Sequence, residues 1–228
     1  MDEPDTEVEA AFRRFAGNPA AVTIDLHRGH LDPEVATLPL DGARAAALLE
    51  RTGPLLDAYR RLGVPVIHLV TRYASREQIL SNPYWAMQSG RDGVRGAIAE
   101  HNLDGGRGTE LMPQIVRPGD VLLDTKQRYD CFIGTDLEEV LRSGEHDSIL
   151  LFGVNTNSCV LATAIAASVR DWAVFVVEDG VDTMMGEEFH RSALAIMRAS
   201  FGWIVDGETT TRLLEKRSRT GGDGRSSS

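Results

Sequence analysis

The chain has 228 residues, 42% of them hydrophobic and 25% charged, the composition of an ordinary folded protein and not of a disordered or collagen-like one. Its 34 acidic residues outnumber 24 Lys and Arg, for a formal net charge of −10, which argues against nucleic-acid or anionic-membrane partners. Two cysteines, Cys131 and Cys159, are too few for a disulfide framework and fit a reducing compartment in which a single thiol is chemically useful.

The amino terminus, Met1 to Asp5, is acidic and no apolar secretion segment follows it, while no stretch approaches the ~18 apolar residues of a membrane span. A cytoplasmic protein is the expectation. The first apolar run, Ala20 to Leu26, predicts a buried strand ending near Asp25. Residues from Asp41 to Leu62 repeat apolar positions on one helix face, with a kink expected at Gly53-Pro54 and a stop at Gly63. Val64 to Val70 reads as a second continuous apolar strand.

Residues 72–118 are rich in Gly, Arg, Asn and Pro and weakly periodic. They read as an excursion from the core, with a short helix near Ser75 to Leu80, that serves as a lid, pocket wall or subunit contact. Regular alternation then returns. Strands are predicted at Asp120–Asp124, Ser148–Val154, Ala173–Val177 and Trp203–Val205, and helices at Asp136–Ser143, Asn157–Asp171 and Glu187–Ser200.

Apolar strands without polar alternation, separated by amphipathic helices, predict an α/β three-layer sandwich. Its central, mostly parallel six-stranded sheet is Rossmann-like, with helices on both faces. One domain is expected over residues 1–216, followed by a disordered tail at 217–228, which has no apolar content.

Ligands of open parallel sheets gather outside the carboxyl ends of the strands. Three reactive residues fall there: Asp25 after the first strand, Lys126 after Val121-Leu122-Leu123, and Cys159 after Ile149 to Val154. Their chemistries are complementary, since a nearby ammonium stabilises a thiolate and a carboxylate within hydrogen-bond reach accepts the thiol proton. Taken singly, each has an ordinary structural reading: a packed cysteine, a capping aspartate, a solvated lysine.

Several motifs in order change that balance. Ala21-Val22-Thr23-Ile24-Asp25, Leu123-Asp124-Thr125-Lys126-Gln127-Arg128-Tyr129-Asp130-Cys131-Phe132, Gly153-Val154-Asn155-Thr156-Asn157-Ser158-Cys159-Val160 and Val176-Val177-Glu178-Asp179-Gly180-Val181-Asp182-Thr183 resemble segments of the isochorismatase-like cysteine hydrolases, over roughly residues 20–205. The resemblance implies a catalytic triad of Asp25, Lys126 and Cys159. It also implies a cis peptide at Val154-Asn155, and an oxyanion hole formed by the backbone N–H groups of Asn155 and Cys159.

The activity so implied is that of a metal-independent cysteine amidohydrolase that needs no cofactor and cleaves a small polar amide or ureide, in the manner of the N-carbamoylsarcosine, biuret and ureidoacrylate hydrolases. Homodimers or homotetramers are common in the family. A nicotinamidase- or maleamate-type amidase is the second enzymatic reading, and a catalytically idle scaffold or binding subunit the third. Nicotinamidases of the family hold a metal with an Asp-x-His and a further histidine beyond the second strand. Residues 71–100 contain no histidine and Asp25 is already assigned, so no metal site is expected.

Substrate-binding residues expected around the triad are His30, Tyr129, Phe132, Asn155 and Trp85. His27 reads as polar loop or pocket wall, Cys131 as a small packing residue, and His68 as a satisfied core histidine. His101, His146 and His190 carry no signal.

Overall fold

The structure is a computed structural model that describes residues 6–222. Six strands form one sheet: β1 (Pro19–Ile24), β2 (Val66–Thr71), β3 (Val121–Lys126), β4 (Ser148–Val154), β5 (Ala173–Asp182) and β6 (Trp203–Val205). Their order is β3-β2-β1-β4-β5-β6, and every neighbouring pair is parallel. Parallel strands need crossovers, and here they contain α2 (Arg28–Leu31), α3 (Gly42–Arg61), α4 (Arg76–Leu80), α5 (Pro83–Gln88), α6 (Leu137–Ser143), α7 (Leu161–Ser168) and α8 (Glu187–Ser200); α1 (Glu7–Phe15) precedes β1 and α9 (Gly207–Gly222) follows β6.

Alternate residues of each central strand enter opposite cores, as the two-residue period of a pleated strand requires. Ala21 of β1, Leu150 and Phe152 of β4 and Phe175 of β5 pack with Leu48, Leu56 and Tyr59 of α3 on one face. Ala20, Val22 and Ile24 of β1 pack with Leu151 of β4, Val160 and Ala164 on the other. The chain first grows outward from β1 through β2 to β3, and then returns to place β4 on the opposite side of β1. The β1/β4 boundary is therefore the topological switch point, where a crevice opens beyond the strand ends. At that boundary β1 and β4 leave no room for a side chain: a Cβ on Gly153 would stand 2.0 Å from the Ile24 carbonyl oxygen.

Several expectations are corrected. The predicted tail at 217–228 is helical as far as Gly222, because Leu213 and Leu214 anchor α9 in the core; residues 223–228 lie outside those described. The helix α1 was not predicted, although Thr6 and Glu9 form a capping box at its start, a local signal for a helix amino terminus. The helix expected from Asn157 to Asp171 opens instead as a π-helical turn, Thr156–Val160, and its regular part ends at Ser168. β5 runs five residues beyond Val177, to Asp182. α3 continues through Gly53-Pro54. β3 is an edge strand with Leu122 exposed, so the two-sided cover expected of every strand fails there.

Among the described residues no helix is long and apolar enough to cross a membrane. The expected reading of Met1 to Asp5 lies outside them.

Candidate active site

Going outward from the switch point, the carboxyl rim carries Cys159 beyond β4, Asp25 beyond β1, Thr71 at the end of β2 and Lys126 at the end of β3. The order of the strands thus becomes an order of functional groups. Lys126 reaches inward across β2. Its Nζ donates to Asp25 Oδ2 at 2.7 Å, to Thr71 Oγ1 at 2.6 Å and to Cys159 Sγ at 3.4 Å. The second carboxylate oxygen, Oδ1, accepts the Thr71 backbone N–H at 2.9 Å. Asp25 itself adopts a positive φ of 55°, which turns the chain out of β1 at the residue that must face the crevice.

Burial makes these charges consequential. Asp25 and Lys126 are each 1% exposed and Cys159 is 5% exposed. Burial alone would raise the Asp25 carboxyl, but the Lys126 ammonium and His27 hold it well below the usual carboxylate range. Burial would likewise lower Lys126, yet Asp25 and Cys159 hold it well above the usual lysine range. For Cys159 burial prevails: the thiol is pushed up to about 11, with the nearby Lys126 lowering it and Asp25 raising it. Burial thus opposes the thiolate that the neighbouring ammonium favours. The resting site pairs a carboxylate with an ammonium and keeps the sulfur protonated.

The turn before the thiol contains a cis peptide between Val154 and Asn155. Among the described residues no backbone or side-chain acceptor takes the Asn155 N–H. The Asn155 side chain faces the segment after β5, where its Oδ1 accepts the Met184 N–H at 2.9 Å.

A narrow cavity opens on these groups. Asp25, Lys126, Cys159, Thr71 and Asn155 line its floor, and His30, Tyr129 and Trp85 stand among its walls. Trp85 Nε1 donates to Tyr129 Oη at 2.9 Å, so the two aromatic walls brace each other. Trp85 also packs with Tyr73, Ile79, Ile98 and Leu38 in a separate apolar cluster. The excursion after β2 is thus a built wall of the cavity. Phe132 is corrected: it lies in the core, stacked on Trp172 with ring centroids 5.4 Å apart, and does not line the cavity. Cys131 is fully buried, with its N–H bonded to Thr163 Oγ1. His68 bridges Thr23 and Asp120 inside the sheet, as expected of a satisfied core histidine.

Residues missed in the sequence also line the cavity, among them Thr71, Arg95, Arg128 and His101. Thr71 ends a strand at the same rim, so the rule that found Asp25 could have found it. Arg95 and Arg128 stack over Tyr129 and Trp85, at 5.7 and 5.4 Å from the ring centroids; no sequence periodicity marks them. His101 lies one residue beyond the histidine-free stretch 71–100, and the structure brings it to His27 and His30. The ligand count that excluded a metal is corrected accordingly.

A thiol, a carboxylate and an ammonium meeting at the carboxyl rim of a doubly wound parallel sheet define the class, a cysteine hydrolase on a Rossmann-like α/β fold. The isochorismatase domain matches residues 19–209, and the chain belongs to that family of isochorismatase-like cysteine hydrolases. The ureidoacrylate amidohydrolase RutB of Methylobacterium radiotolerans is 24% identical over 197 residues, covering 81% of this chain and 75% of the relative. A cysteine hydrolase from Pseudomonas syringae pv. phaseolicola superposes with a TM-score of 0.77 at 21% identity, over 88% of this chain and 94% of that one. N-carbamoylsarcosine amidase from Thermoplasma acidophilum superposes with a TM-score of 0.66 at 23% identity, over 84% and 97%. At these identities the two structures show a shared fold.

Proposed function

We propose that this protein is a cysteine amidohydrolase that cleaves a carbon–nitrogen bond of a small polar amide or ureide through a thioester. The observation that carries this reading is the single ammonium of Lys126 in contact with both the Asp25 carboxylate and the Cys159 sulfur. Membership of the family and similarity to RutB support the bond type.

The resting protonation states set the order of events. Asp25, an ionised base beside a protonated thiol, takes the Cys159 proton as sulfur attacks the carbonyl carbon, while Lys126 offsets the negative charge that moves between them. The carbonyl oxygen becomes an oxyanion received by the backbone N–H groups of Asn155 and Cys159, and the acceptor-free Asn155 N–H suits that role. A preorganised donor of this kind is worth about 3 kcal/mol to the transition state. The tetrahedral adduct expels ammonia or an amine, protonated by Asp25, and leaves an acyl group on sulfur. Water, deprotonated by Asp25, then attacks the thioester and releases the acid and the thiol.

Arg95 has no carboxylate partner among the described residues, and with Arg128 it favours ureides that bear an anionic end, such as N-carbamoyl amino acids. A screen for ammonia release over ureides and primary amides tests the reading, repeated with Cys159→Ser. Turnover of at least one ureide, abolished in the variant, is the expected result; turnover that survives the substitution unchanged overturns the nucleophile.

A further inference from the structure

Three imidazoles that the proposed chemistry does not use converge beside Asp25. His27 follows β1, His30 lies on α2, and His101 lies within the excursion after β2. One ring nitrogen from each lies within 4.8 Å of the other two. The rings are 0%, 5% and 3% exposed, and the His30 centroid stands 5.0 Å from that of His27 and 4.6 Å from that of His101.

Hydrogen bonds fix how these rings present themselves. His30 Nδ1 lies 2.7 Å from the Leu38 carbonyl, which can only accept, so Nδ1 carries the proton and Nε2 presents a lone pair. His101 Nδ1 lies 2.9 Å from the Thr37 hydroxyl, and with its proton there the Nε2 lone pair is presented too. No hydrogen bond among the described residues uses either Nε2, and both rings line the cavity. A carbonyl or hydroxyl behind the distal N–H is the usual outer support of a metal-bound imidazole.

We propose that His27, His30 and His101 form a divalent transition-metal site whose remaining coordination position opens into the cavity. Three neutral nitrogen ligands select zinc, cobalt, nickel or ferrous iron over magnesium and calcium, and an open position is the mark of a site that meets substrate. The ligands also differ from the Asp-x-His set of the nicotinamidases, since two of them follow Asp25 directly in sequence. A tetrahedral ion with bonds of about 2.1 Å holds its ligand atoms about 3.4 Å apart, so the side chains close inward by about 1 Å. His27 must adjust most. Asn102 Nδ2 donates to its Nε2 at 2.8 Å and to the Thr71 carbonyl at 2.7 Å; coordination through Nε2 breaks the first bond and leaves the second to hold Asn102. Asp25 Oδ1 lies 3.4 Å from His27 Nε2, and Lys126 already balances its charge. The ion would stand beside the thiol site and bind a carbonyl or carboxylate oxygen of the substrate, while sulfur remains the nucleophile.

This proposal stands independently of the amidohydrolase reading, because its test is metal binding. Full-length protein without an affinity tag is stripped with chelator and titrated with Co²⁺, read by the visible bands of four-coordinate cobalt and by metal content after dialysis. One equivalent per chain is expected, weakened at least tenfold in His30→Ala and in His101→Ala and unchanged in Cys159→Ala. X-ray absorption at the cobalt edge of the wild-type protein counts imidazole ligands without relying on the variants. Three imidazoles support the site. Fewer than three, retention of well under one equivalent, or cobalt binding lost in Cys159→Ala but kept in the histidine variants overturns it.

Discussion

Thr71 Oγ1 accepts a 2.6 Å hydrogen bond from Lys126 Nζ, while the Thr71 backbone N–H binds the carboxylate that the same ammonium pairs with. One residue at the end of β2 therefore holds both members of the ion pair in register. Thr71→Ala keeps the backbone bond and frees the ammonium to wander. A fall in kcat of about 10²-fold is expected, since small misplacements of reacting groups cost that much, with an unchanged melting temperature and recovery in Thr71→Ser. Full activity in Thr71→Ala would dismiss the role.

The protonated sulfur has a pH signature. With the thiol near 11, alkylation by iodoacetamide is slow at pH 7 and rises about tenfold per pH unit up to about pH 10. Asp25→Asn removes the charge that opposes ionisation and leaves Lys126 to draw the sulfur into thiolate. Alkylation of this variant at pH 8 is expected to accelerate at least tenfold while hydrolysis is lost. Slower alkylation of Asp25→Asn would contradict the electrostatics described above.

The buried pair is also a stability element. Lys126→Met leaves an uncompensated carboxylate in the interior and is expected to cost about 3–5 kcal/mol in urea unfolding. The double variant Asp25→Asn/Lys126→Met recovers most of that loss. Because the folded Asp25 carboxyl is held down, its contribution is complete above the unfolded carboxyl value and is lost as pH falls through the folded one. Lys126, held up, contributes fully below its unfolded value and loses that contribution as pH rises through the folded one. Single and double variants compared across pH by denaturant midpoint check both signs.

Arg95 separates binding from chemistry. Arg95→Ala is expected to raise KM at least about tenfold for N-carbamoyl amino acids, the worth of one charged hydrogen bond, and to leave KM for an uncharged ureide such as biuret nearly unchanged. Equal effects on both substrates would rule out a carboxylate contact.

Phe132 provides a contrast. Its stacking on Trp172 places it in the core, so Phe132→Leu is expected to lower the melting temperature and leave KM where it is. A changed KM without a change in stability would return Phe132 to the cavity wall.

Much of this molecule follows from local pattern. Continuous apolar runs such as Ser148 to Val154 are recognisable because a strand covered on both faces excludes polar residues along its whole length. Asp25, Lys126 and Cys159 were legible as a group because parallel topology carries all carboxyl ends to one rim, whatever the details of packing. α1 was missed although its capping box is local, and α9 was missed because few apolar residues mark it.

The chain alone therefore determined the sheet, its rim and the three reactive residues on that rim, since hydrophobic periodicity and strand direction are short-range properties. Tertiary structure alone decided that His101 joins His27 and His30, that Arg95 faces the cavity while Phe132 does not, and that Cys159 rests as a thiol. Those outcomes depend on which distant groups share a buried space, and the energy of a charge there is set by its neighbours in three dimensions.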